Sequence, residues 1–78
     1  MPTVLRVGSY RFYLTLGDCG EPPHVHVQEA DRKAKFWLDP IAVAREGRLK
    51  AHELGKIERI VAEQQDYLLA EWRKLCGE

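Results

Sequence analysis

Two periods divide the chain. From Thr3 to about Ala44 apolar and polar side chains alternate in steps of two, and from Leu54 onward apolar residues return in steps of three, four and seven. The first pattern predicts strands and the second an amphipathic helix. Thr3–Val7 reads as a short strand and Gly8-Ser9 as a tight turn. Over Tyr10–Leu16 the residues Tyr10, Phe12, Leu14 and Leu16 share one face, and Arg11, Tyr13 and Thr15 the other. Residues 17–21 form a loop, after which Pro22-Pro23 stiffens the approach to a strand over His24–Gln28. A second turn over residues 29–32 leads to a strand at Lys33–Leu38. Asp39-Pro40 turns the chain again, before a short fifth strand at Ile41–Ala44.

The helical part carries Leu54, Ile57, Ile60, Val61, Leu68, Trp72 and Leu75 on one stripe. Gln64-Gln65-Asp66 interrupts it, so either one helix has a polar patch there or two helices meet with Asp66 as N-cap. Gly77 supplies a stop. The expected fold is α+β: a four- or five-stranded antiparallel meander, then one long or two short C-terminal helices on one sheet face. All 78 residues make a single domain, with strands over about 3–44 and helix over about 51–76. The core is expected from Phe12, Leu14, Val25, Val27, Phe36, Leu54, Ile57, Val61, Leu68 and Trp72.

That arrangement sorts the remaining side chains onto the second face. Arg6, Arg11, Tyr13, Thr15, His24, His26, Gln28, Lys33, Lys35 and Trp37 all fall there by alternation. Four cations, two histidines and two aromatics share this surface, and along the strands no acidic residue joins them before Asp39. The balance of charge over the whole chain does not show this asymmetry. Twelve basic and twelve acidic residues cancel, so net charge argues for neither nucleic acid nor membrane as partner. No apolar run approaches the ~18 residues of a membrane span, and the early arginines fit no secretory signal. The two cysteines, Cys19 and Cys76, are expected as free thiols in a reducing cytoplasm, with a disulfide staple between two distant loops as the alternative.

Candidate chemistry centres on PPHVHV. Residues two apart on a strand point the same way, so His24 and His26 reach one ion or one phosphate together. Three uses remain open. Both rings can be ordinary strand histidines. With Cys19 as third ligand, and Asp18 beside it, they can hold a metal such as zinc, although the spacing is no zinc-finger pattern. As an acid–base pair they can cleave RNA through the 2′-hydroxyl. Arg6, Arg11 and Lys35 would then neutralise phosphate, while Tyr13 and Trp37 stack bases or meet a partner protein. The chain holds no Gly-rich phosphate loop, no nucleophile elbow and no carboxylate pair.

MPTVLRVGSYRF, EPPHVHV, AKFWLDP and a helix with ELxxIxxIV and a late Trp together resemble the bacterial family called domain of unknown function 4160. The likeness runs from Met1 to Trp72. It implies a small intracellular protein of a two-protein module. The partner would be a small protein encoded by an adjacent gene, and some members are proposed as toxin components of toxin–antitoxin modules. The family's PPHxH block corresponds to Pro22, Pro23, His24 and His26. Many members read Asp-His shortly before the prolines where this chain reads Asp18-Cys19, a change that keeps a metal ligand but removes a third imidazole. The expected function is therefore a toxin-type component that cleaves or binds RNA through the His24/His26 face. The alternatives are a non-catalytic interaction module, whether antitoxin or adaptor, and a small metal-binding protein.

Overall fold

The computed structural model describes residues 3–77. Five strands come first: β1 (Thr3–Val7), β2 (Tyr10–Tyr13), β3 (His24–Glu29), β4 (Arg32–Leu38) and β5 (Ile41–Arg45). Helices α1 (Ala51–Glu63) and α2 (Gln65–Cys76) follow. The strands pair antiparallel in chain order, which is the expected meander with helices behind it. Gly47 is required by close approach: its φ is +62°, and a Cβ there would sit 1.9 Å from the Lys33 carbonyl oxygen.

The period-two reading places the core correctly. Phe12, Val25, Val27, Ala34, Phe36 and Leu38 point from the sheet into it, Ile57 and Val61 enter from α1, and Leu68 and Trp72 from α2. Leu14 is buried as well, and Leu54 packs at the margin. In-register pairs such as Phe12↔Val27 and Val25↔Phe36 set these side chains beside each other on one face. The helical stripe breaks at Gln64, not Asp66. Gln64 leaves helical geometry, and the neighbouring Gln65 side chain donates to the Leu38 carbonyl at 2.8 Å, tying the junction to the end of β4.

The departure from expectation lies after Tyr13. The alternation of Tyr10–Leu16 predicts a seven-residue strand, but β2 stops at Tyr13 and Leu16 is exposed. From Leu14 the chain leaves the sheet. It makes a short 3₁₀ turn at Leu16–Asp18 and runs to β3 as a strap over residues 14–23. Asp18 N–H bonds the Thr15 carbonyl, Glu21 N–H bonds the Asp18 carbonyl, and Pro23 C=O accepts from Leu38 N–H at 3.0 Å. These bonds satisfy the strap locally, so it needs no sheet partner.

The expectation of two free thiols is corrected here. Cys19 on the strap forms a disulfide with Cys76, the last residue of α2, across 57 positions of sequence. Their nearness comes from α2 running back along the sheet, which no local pattern encodes. Among the described residues no helix is long and apolar enough to cross a membrane.

Candidate functional site

The register arranges the second sheet face in rows. Arg6 stands opposite Arg11, Arg11 opposite Gln28, and Gln28 opposite Lys33. The next row holds Tyr13, His26 and Lys35, and the third holds His24 and Trp37. Every second-face site residue expected from alternation is therefore on one surface, but not equally accessible. Arg6 and Lys33 are exposed, and Arg11, His26, Lys35 and Trp37 are half-buried. Tyr13 is buried and His24 has no exposed surface at all.

The burial of His24 corrects the expectation of two outward-pointing rings. The strap closes over one end of the face, and Trp72 of α2 reaches the His24 ring with centroids 4.9 Å apart. Trp37 and His26 meet the same ring edge-on at 5.7 and 5.1 Å. An imidazole at the first residue of β3 thus sits in an aromatic box. Its Nδ1 lies 2.9 Å from the Pro22 carbonyl oxygen, a contact the rigid Pro22-Pro23 approach sets up.

The strap also carries acid onto a surface that the strands alone leave cationic. Asp18 Oδ2 lies 2.6 Å from His26 Nε2 and 3.1 Å from His24 Nε2, and it accepts from the Thr15 hydroxyl. The Thr15 bond first, then the His26 bond, hold the Asp18 carboxyl well below the usual carboxylate range, with burial opposing them. Glu21 pairs with Lys35, which lowers its carboxyl too. Cys19 is not part of this group, since its sulfur is bonded to Cys76; Asp18 supplies the third donor instead.

Two stacks flank the histidines. The Arg11 guanidinium lies 4.5 Å over the Tyr13 ring, and Tyr13 stacks on His26 at 5.1 Å. Lys35 lies 4.7 Å from the Trp37 ring centre. Arg11 also donates to Gln28 at 2.7 Å and to Thr3 at 2.9 Å. Among the described residues, Arg6, Arg11 and Lys33 form no ion pair with a carboxylate. A cavity of about 380 Å³ lies beside the disulfide, lined by Cys19, Glu21, Trp72 and Arg73 among others.

Sequence reasoning did not give Asp18 its central place, and it missed Glu21 and Trp72 on this face. All three come from outside the strands that bear the histidines. Asp18 is a candidate ligand beside Cys19 in the sequence; the strap sets it, and not Cys19, against both histidines.

A five-stranded antiparallel meander backed by two helices, with a His–Asp cluster under a loop, defines a small α+β domain. The chain belongs to the family described as Domain of unknown function (DUF4160), whose model matches residues 9–73. No curated protein and no solved structure matches it.

Proposed function

We propose that the protein is the toxin-type component of a cytoplasmic two-protein bacterial module, partnered by a small protein from an adjacent gene, and that it binds RNA through its second sheet face. The observation that carries this reading is the row Arg6, Arg11, Lys33. These cations lie in one row on β1, β2 and β4, and among the described residues none of them pairs with a carboxylate, so a phosphate backbone crossing the strands would meet them in turn. Half-buried His26 lies in the next row and half-buried Trp37 in the row after it, and both offer edges for unpaired bases.

The 2.6 Å contact between His26 and Asp18 favours a second step, cleavage. An ionised carboxylate only accepts, so it fixes the proton on His26 Nε2 and leaves the lone pair on Nδ1 for a base. His24 has no surface to offer a substrate. Acid–base work on this face therefore falls to His26 alone among the two histidines.

Binding of a labelled single-stranded RNA across a salt series tests the reading. Arg11→Gln combined with Lys33→Gln should weaken binding and flatten the log–log salt slope by about 1.4, the value for two phosphate contacts on a single strand. His26→Ala should retain binding and lose any cleavage or growth arrest by ~10²-fold or more. No RNA binding at low salt by the folded protein, with a partner protein captured instead through Arg11 and Trp37, would establish the interaction-module reading in its place.

A further inference from the structure

One atom of the His–Asp centre has no hydrogen-bond partner: His24 Nε2, fully buried. The proton inventory shows why this matters. His24 Nδ1 faces the Pro22 carbonyl at 2.9 Å. A carbonyl can only accept, so Nδ1 carries the ring hydrogen. In the neutral ring Nε2 is then a bare lone pair. It points into a closed spot 3.1 Å from Asp18 Oδ2, a negative atom that already receives Thr15 and His26. Two electron-rich atoms face each other there only with a positive charge between them, either a second proton on the His24 ring, which makes the 3.1 Å contact an ion pair, or a bound cation.

The geometry points to a divalent transition-metal ion of the zinc class as that charge, held by His24 Nε2, His26 Nε2 and the Asp18 carboxylate. The three donor atoms lie within 4.8 Å of one another. Ligands at 2.0–2.1 Å from a tetrahedral zinc stand roughly 3.3 Å apart, so the Asp18–His26 contact opens by less than about 1 Å to admit the ion. The Nδ1–H bond to Pro22 is the outer contact that orients a ligating imidazole and leaves its far nitrogen free. Trp37 and Trp72 shield the buried side. Asp18 and His26 keep 24% and 15% of their side chains exposed, so a fourth coordination position opens toward solvent. Two imidazoles and one carboxylate suit zinc, nickel or ferrous iron better than calcium or magnesium.

Ligation uses the His26 Nε2 lone pair, whereas a bare His26–Asp18 dyad uses that nitrogen as a donor. The two uses exclude each other, and the metal titration decides between them. The inference does not depend on RNA binding, whose salt-slope test involves other residues.

The test is calorimetric titration of the chelator-stripped, oxidised full chain with zinc chloride and with nickel chloride, alongside thermal melting. One ion per chain should bind and raise the melting temperature. Asp18→Asn and His26→Ala, both at partly exposed positions and checked for folding by circular dichroism, should each lose more than about tenfold in affinity. His52→Ala, at an exposed position outside the centre, should bind as the parent does. No heat and no melting shift with either ion overturns the inference. So does binding that survives unchanged in both Asp18→Asn and His26→Ala, which would move the ion elsewhere.

Discussion

His24 and His26 are two residues apart on one strand face, yet they are different kinds of residue. His24 fills space among Trp37, Trp72 and His26, while His26 keeps contact with solvent. Removing the His24 ring opens a cavity in an aromatic box and leaves the Pro22 carbonyl without its donor. His24→Ala should therefore cost on the order of 2–4 kcal/mol, a large part of the stability of a small domain. His26→Ala loses a hydrogen bond near the surface and should cost about 1 kcal/mol. Chemical denaturation of both variants checks this. Equal and small losses would mean that both rings stand outside the core.

At the scale of elements, the start of α1 is joined to the sheet by one carboxylate. Glu53 accepts the Lys50 backbone N–H at 3.1 Å, which caps the first turn, and takes both Arg32 guanidinium nitrogens of β4 at 3.0 Å. The cap first, and then Arg32, lower the Glu53 carboxyl below its ordinary value. A lowered folded value means that the native state holds this proton less tightly than the unfolded chain. The stability it brings is complete above the ordinary glutamate value, and is lost as pH falls from there through the folded value. Glu53→Gln should melt lower than the parent near neutral pH, and should lose less further stability between about pH 5 and pH 3. Melting curves across that range measure it; parallel acid losses in both proteins would assign the acid sensitivity to other carboxylates.

For the molecule as a whole, the disulfide decides how firmly the strap is closed. It joins the strap to the end of α2 and encloses 57 residues of separation. Closing a loop of that size restricts the unfolded chain by about 4 kcal/mol in the chain-entropy account. Cys19→Ser/Cys76→Ser, or reduction by a dithiol, should lower the unfolding free energy by an amount of that order. The reduced protein should still fold, because the core of Phe12, Phe36, Ile57 and Leu68 does not include the bridge. After reduction Asp18 is held to the histidines by side-chain bonds alone, so metal affinity should fall. Denaturant unfolding with and without dithiol, and zinc titration of Cys19→Ser/Cys76→Ser against the parent in the absence of thiol, measure both effects.

Local alternation and helical spacing by themselves determined the strands, the meander, the helix stripe and nearly all of the core. They suffice because burying one sheet face is a demand that every residue of a strand meets in step with its neighbours. The same alternation put Arg6, Arg11, His26, Lys33, Lys35 and Trp37 on one surface. What it did not reach is where the chain stops obeying it. Leu16 continues the pattern in sequence but is exposed, because local hydrogen bonds at Thr15, Asp18 and Glu21 hold the strap off the sheet. Only the tertiary structure brought Asp18 above both histidines, closed Cys19 onto Cys76 and placed Trp72 against His24. Each of these contacts joins different elements or a loop to a strand. Their geometry depends on how the helices return across the sheet, which is a property of the packed whole and leaves no periodic trace in the chain.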